Sequence, residues 1–520
     1  MASPQAARAS AVDARSLANT TTAAHKVVRI VFLALLLDLL AFTMPLPLFP
    51  RIIDDFVQHE ATRASTHTPT LLSGTLSTVR SLRSYLTSFS SVSTSSSNPA
   101  RFDLTLLGGL LGSTFSFCQF LVSPLLGGLS DKYGRKKVLL ASMVGNILSA
   151  SLWLASGSRF ELYALSRIVG GLSEGNVQLS IASITDVTTP ATRSKSLALV
   201  GIAFSVAFTL GPSLGAYFAA RDWFHLSSSP TIDLPLVGPI GLNSYAVPAA
   251  ITLALLTVET LYLTARLPET KGWKLAVTRE EKSEPSHQQG TEETVPRTVA
   301  ERRERLGKLE SIHFGFLFFF SGAEFTITFL TNNLFDFSNA QNGRLLGFIG
   351  ILSSLLQGGY VRRASSTRRK TFSLAVSGIK ACQLSLFLLS SLPFLSRQQE
   401  QHSTTTVSMV VLYLAAAGLA YVSATVVNSL NSLASLETDV DSDSRRDVSG
   451  KSIEKGKALG KFRSKGQLGR ALGPLFATGV YWCASPAVAY LCCAVGTMVV
   501  ARRMARLRER DTVGHLAKNK

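Results

Sequence analysis

Apolar runs of about 20 residues, enough to cross a hydrocarbon core of roughly 30 Å as helices, recur along this chain and leave it few other ways to fold. Twelve runs are identified, at 27–49, 105–129, 137–156, 160–185, 196–219, 244–266, 311–334, 343–361, 371–395, 407–434, 465–484 and 486–504. Only 16% of the 520 residues are charged, where a soluble domain carries about a quarter. Backbone polar groups in lipid must be satisfied within the segment, so each run is predicted to be a helix. The expected fold class is an all-α membrane protein.

The polar segment 267–310 divides six runs from six. This predicts a disordered cytosolic tail 1–26, an N-terminal six-helix bundle 27–266, a cytosolic linker 267–310, a C-terminal six-helix bundle 311–504 and a cytosolic tail 505–520. An outside loop, 50–104, contains the low-complexity tract SFSSVSTSSSN, and an inside loop, 435–464, contains TDVDSDSRRD. Within the linker, RTVAERRERLGKLE has helical charge pairing and predicts a surface helix ahead of the seventh run.

Charge sets the expected orientation. With both termini cytosolic, most of the 52 Lys and Arg lie in inside loops and tails, while the long loop 50–104 carries Arg51, Arg63, Arg80, Arg83 and Arg101. This satisfies the positive-inside rule. The net charge of +19 is therefore mainly a topology signal, and no nucleic-acid partner is expected. The first 25 residues lack the apolar core of a secretory signal and read as a cytosolic tail. The five cysteines all fall within predicted helices and have no metal-ligand spacing, so neither a metal nor a structural disulfide is expected. No nucleophile elbow, phosphate loop or metal cluster suggests an enzyme or a cofactor. The partner expected on this composition is the lipid bilayer.

Two pairs of strings recur six runs apart. LGPSLGA at 210–216 is echoed by ALGPLFA at 471–477, pairing Gly211, Pro212 and Gly215 with Gly473 and Pro474. GGLSDKYGRKK at 127–137 has a degraded counterpart, GGYVRRASSTRRK at 358–370, which lacks the acidic residue. The first loop squeezes Asp131, Gly134 and a basic block into one short connection. Gly127 and Gly128 let helices approach closely, and Asp131 and Arg135 are four residues apart, so they can face each other or a third charge.

That loop resembles the signature between the second and third helices of the major facilitator superfamily of transporters. The resemblance implies two bundles related by a parallel repeat. It places Asp131 near the start of the eleventh helix, whose dipole end attracts an anion. It pairs Arg135 with an acid at the cytosolic end of the fourth helix, where Asp186 stands, followed by Arg193. Gly127, Asp131, Gly134, Arg135 and Asp186 are thus the expected gating latch.

Charged residues also lie inside the runs. Asp38, in LLLDLLAFTMPLPLFP, is about 11 residues, or roughly 16 Å, from the cytosolic end of its run. A carboxylate near the midplane costs at least ~2.5 kcal/mol facing lipid, so Asp38 is expected to face a cavity or a partner. Arg167 lies at similar depth in the fourth run, which suggests that it pairs with Asp38; Glu174 is two turns further on. In the second half, Glu324 sits near the midplane and is the candidate second titrating or substrate-facing group. Lys380, Asn428 and Asn431 add polar groups of lower rank. The spacing of Asp38, Pro47 and Pro50 resembles the first helix of bacterial tetracycline/proton antiporters. Arg167 and Gly171 resemble their fourth-helix motif, whose arginine the family links to proton transfer. Gly211, Pro212 and Gly215 resemble the antiporter motif of drug/proton exchangers.

LLLDLLAFTMPLPLFP, GGLSEGNVQLS, GIAFSVAFTLGPSLGA, FFFSGAEFTITFL and ALGPLFATGVYW are together similar to the eukaryotic tetracycline-transporter-like subfamily of organic-anion carriers. The resemblance implies proton-coupled antiport of a small amphipathic or anionic molecule along a path with Asp38, Arg167, Glu174 and Glu324. A uniporter or symporter on the same fold, and a non-transporting receptor or scaffold, are the alternatives.

Overall fold

A computed structural model of the chain describes residues 4–45, 48–63, 70–88, 99–157, 159–219, 231–234, 238–241, 245–273, 298–364, 367–397, 402–438 and 453–518. The tract at 89–98, the middle of the linker at 274–297 and the acidic–basic run at 439–452 lie outside the described residues.

The first half comprises α1 (Pro4–Thr43), α2 (Phe49–Arg63), α3 (Leu71–Ser88), α4 (Pro99–Tyr133), α5 (Arg135–Leu154), α6 (Phe160–Ser173), α7 (Asn176–Val187), α8 (Pro190–Ala219) and α9 (Ala246–Arg266). Between α8 and α9, β1 (Thr231–Leu234) and β2 (Gly238–Gly241) form an antiparallel hairpin with Thr231 opposite Gly241. The second half comprises α10 (Val299–Phe335), α11 (Asn339–Leu355) with a π-helical turn at Leu356–Val361, α12 (Arg368–Arg397), α13 (His402–Glu437), α14 (Lys455–Cys483) and α15 (Pro486–Lys518).

Among the described residues, nine helices are long and apolar enough to cross a membrane. The expected count of twelve is consistent with this once α1, the α6–α7 pair and α14 join them. α1 carries Lys26, Arg29 and Asp38, α14 carries Arg463, Lys465 and Arg470, and the α6–α7 pair is interrupted. Leu125, Val144, Leu261, Leu355 and Phe394 are exposed on the spanning helices, as expected of side chains that face acyl chains rather than water.

The structure departs from the sequence reading in several places. Residues 4–26, expected as a structureless tail, continue α1, and most of the tail 505–520 continues α15. The predicted surface helix of the linker is not separate but forms the first turns of α10, started by a capping box between Thr298 and Glu301. α14 begins at Lys455, ten residues before the predicted run, and so shortens the inside loop 435–464. Much of the outside loop 50–104 is helical: α2 and α3 lie against α4. Leu48, Ile52, Ile53, Phe56 and Leu72 pack there with Trp153, Phe160 and Tyr163, and Arg83 donates to Asp103 at 2.7 Å. These two amphipathic helices cap one end of the first bundle.

The internal repeat has a packing basis. On α8, a Cβ added to Gly215 would lie 2.0 Å from the Met44 carbonyl oxygen, and one on Gly211 would lie 1.9 Å from Thr43 Oγ1. On α14, six spans later, a Cβ on Gly473 would lie 2.2 Å from the Phe318 carbonyl oxygen of α10. In each half, the fifth helix uses its Gly-Pro string to sit flush on the first.

Candidate functional site

The loop at 127–137 joins the two halves. Asp131 accepts from the backbone N–H groups of Gly456 and Lys457, both at 2.8 Å, at the first turn of α14. Those N–H groups have no partner within their own helix, and the helix dipole favours an anion there. Arg135 is 3% exposed and reaches Asp131 at 2.7 Å and Asp186 at 2.9 Å. Gly127 permits the approach, since a Cβ on it would lie 2.1 Å from the Gly456 carbonyl oxygen. Gly134 turns the chain at φ 102°, a conformation that favours glycine. Glu269, which the sequence reading did not single out, accepts from the Arg135 backbone N–H at 2.7 Å. Asp131, Arg135 and Asp186 thus form one cluster beside the first turn of α14, with Gly127 and Gly134 at its edge.

The degraded loop keeps the same device in a different form. Arg368, at the start of α12, pairs with Glu437 at the end of α13 and with Asp511 of α15 at 3.1 Å. Arg305 of α10 joins both acids, reaching Glu437 at 2.9 Å. Beside them Arg193, fully buried, donates to Thr188 O at 3.0 Å and to Ser435 O across the halves at 3.3 Å.

A second cluster lies deeper. The predicted fourth run is not one helix: it breaks at Glu174 and Gly175, with Glu174 extended at φ −71°, ψ 95°. Ser142 of α5 patches the break by donating to the Ser173 carbonyl and accepting from Gly175 N–H at 2.9 Å. Non-helical backbone at membrane depth is tolerated only where protein or a cavity satisfies it, and broken helices line many transport sites. Glu174 accepts from Asn146 at 3.1 Å. Asn176, the first residue of α7, donates to Asp38 at 2.6 Å.

Asp38 and Arg167 do not pair. Asp38 is 3% exposed, and its charged neighbours are Glu174 and Arg463 of α14. Arg167 lies over the rings of Tyr163 and Trp153, at 5.4 and 5.9 Å. Arg167 lies against Trp153 of α5 and Tyr163 of α6, beneath the α2–α3 cap, whereas Asp38 meets the α6–α7 break.

The cations that face this region come from α14. Arg463 acts on Glu174 and Asp38. Arg470 acts on Glu324, which is exposed midway along α10. Both arginines are half-buried, and neither makes a hydrogen bond or ion pair among the described residues. Between them, His313 stacks on Phe462 at 4.3 Å, with Nδ1 3.2 Å from the Phe462 carbonyl oxygen. Glu259 of α9 is 1% exposed and makes no hydrogen bond among the described residues. Lys380 is exposed and makes none of these contacts. Asn428 and Asn431 of α13 make no hydrogen bond to them among the described residues. No group of His, Cys, Asp and Glu able to hold a metal occurs among the described residues.

Two bundles, tied together at one end by the 127–137 loop, flank a charged interior beside a broken helix. A family model described as Major Facilitator Superfamily matches residues 31–440. The chain belongs to the major facilitator superfamily. It is 32% identical to the mouse major facilitator superfamily domain-containing protein 10 over 476 residues, 90% of each chain. It is 34% identical to the class C tetracycline resistance protein of Escherichia coli over 112 residues, 22% of this chain and 28% of that one. Its structure is similar to the crystal structure of the human organic anion transporter MFSD10 (TETRAN), with a TM-score of 0.65 and 28% identity, covering 92% of this chain and 99% of that one. This superfamily member is a multi-pass integral membrane protein and a secondary transporter, not an enzyme.

Proposed function

We propose that this carrier moves a small organic anion together with protons, through a cavity that opens alternately to each side. The observation that carries this reading is the pair Arg463 and Arg470. Each has five N–H donors in the interior of the membrane bundle, with no hydrogen-bond partner among the described residues. An intramembrane arginine left this way is costly, and a carboxylate or phosphate on the substrate would satisfy it. The printed name of the human relative, an organic anion transporter, supports the same class.

Proton linkage follows from the acids. Asp38 and Glu174 lie in the field of Arg463. A bound anion takes over that arginine and leaves two carboxylates enclosed without it. Protonation relieves the cost, so anion and proton bind together. In this reading Arg463 takes the role that the sequence assigned to Arg167. Antiport is the second reading, favoured by the Gly211–Pro212–Gly215 packing against α1 and by the match to a tetracycline resistance protein. Both termini are proposed to be cytosolic, on the charge asymmetry, and the unit to be a monomer.

The test is uptake of an aromatic carboxylate by proteoliposomes containing the purified full chain, with the luminal pH recorded. Proton movement in the direction of the anion supports the reading, and movement against it supports antiport. Anion uptake with no proton movement would leave a uniporter.

A further inference from the structure

We infer that the carrier is built for an anion with two heads, a dicarboxylate or similar dianion, rather than for a single carboxylate. This rests on the proposed anion transport and extends it. Arg463 and Arg470 are seven residues apart, which is two turns, so they share a face of α14 with an axial separation of roughly 10 Å. Gly466 and Gly469 lie between them; a Cβ on Gly466 would meet the His313 ring at 2.4 Å, and one on Gly469 would meet the Phe314 carbonyl oxygen at 2.6 Å. The residues between the two arginines are thus closed against α10, and α14 offers two separate guanidinium forks.

Each fork faces a different set of acids. Arg463 acts on Asp38 of α1 and Glu174 of the α6–α7 break, and Arg470 acts on Glu324 of α10. His313 of α10 lies in the field of both arginines, and Glu259 of α9 lies behind Asp38 and Glu174 without a cation acting on it among the described residues. Among the described residues no acid makes an ion pair or hydrogen bond with either guanidinium, which leaves both open to a ligand. When the facing acids hold protons, the two arginines leave a site of charge two, which a dianion neutralises and a monoanion does not. Each substrate carboxylate displaces one arginine's field from the acids it faces, so a dianion, which also occupies Arg470 and frees Glu324, carries more protons than a monoanion.

The experiment compares octanedioate with octanoate in proteoliposomes of the full-length wild type, Arg470→Gln and Arg470→Lys, reading half-saturation and protons moved per substrate. Octanedioate, whose extended carboxylates lie about one such spacing apart, is expected to half-saturate the wild type at least tenfold lower than octanoate and to move more protons per substrate. Arg470→Gln is expected to bring octanedioate to the affinity and proton count of octanoate, and Arg470→Lys to keep part of the difference. Equal affinities in the wild type, or an equal loss for both anions in Arg470→Gln, would overturn the two-headed site while leaving anion transport standing. Loss of all binding in both variants would make position 470 a packing residue and overturn it too. If neither octanoate nor any aromatic carboxylate is carried, the proposed function falls with it.

Discussion

Replacing Asp131 by Asn tests the latch at its most exposed point. The carboxylate now receives Gly456 N–H and Lys457 N–H at 2.8 Å each and Arg135 at 2.7 Å. Asn keeps one oxygen for one N–H but turns an NH₂ group toward the other. One charge-assisted hydrogen bond, about 1.5–3 kcal/mol, is lost, together with the anion's interaction with the helix terminus, about 0.3–1 kcal/mol. The Asp131 side chain is 16% exposed, which favours the lower end, so the closed state should lose about 2 kcal/mol, a roughly 30-fold shift in the gate equilibrium. Arg135 keeps Asp186, so folding should be largely spared. Nitroxides at Tyr133 and Lys461, in a background without the native cysteines, report the distance across this end by pulsed electron–electron resonance. The longer-distance population should grow and turnover should fall. Unchanged distances with wild-type turnover would reduce the loop to a topogenic signal.

Three further outcomes follow from the packing and charge already described. Gly215→Ala and Gly473→Ala should each cost about 1–3 kcal/mol by overpacking, seen as a lower midpoint of thermal unfolding in detergent; neutral variants would deny that the Gly-Pro strings hold each fifth helix to its first. Arg368→Gln removes one of the two arginines on buried Glu437 and should lower stability by about 2 kcal/mol, whereas Arg369→Gln, exposed beside it, should not register in the same melt. Cysteines at Tyr85 and Gly290 should react with impermeant reagent from opposite sides of the membrane, and reaction from one side would end the proposed topology.

The parts legible in the sequence were those with a period or a local string. Apolar runs gave the spans, and the resemblance of the 127–137 loop to the superfamily signature pointed to Asp131, Arg135 and Asp186, whose side chains meet in the structure. The misplaced features share one cause: apolar run length is blind to which way a helix faces. α14 begins early because Lys457, Lys461 and Arg463 depress its hydropathy, although Arg463 points into the bundle rather than at lipid. The break at Glu174 is invisible to periodicity, since the stabilising Ser142 comes from another helix. Asp38 and Arg167 agree in depth, but depth carries no azimuth. Glu259 was overlooked even though the rule used for Asp38, a lone acid inside an apolar run, applies equally to TVET at 257–260. α2 and α3 were read as loop because, as amphipathic caps, they are too polar to count as spans.

On the proposed reading, Asp38 exchanges a proton as an anion occupies the arginines of α14. The most direct measurement is anion uptake into proteoliposomes driven by a pH gradient alone, comparing wild type with Asp38→Asn, with substrate counterflow at equal pH as the control for folding. The account predicts that the pH gradient drives uptake by the wild type and fails to drive it in Asp38→Asn, while counterflow remains measurable. Full pH-driven uptake by Asp38→Asn would contradict it and pass the coupling role to another acid, with Glu324 first in line.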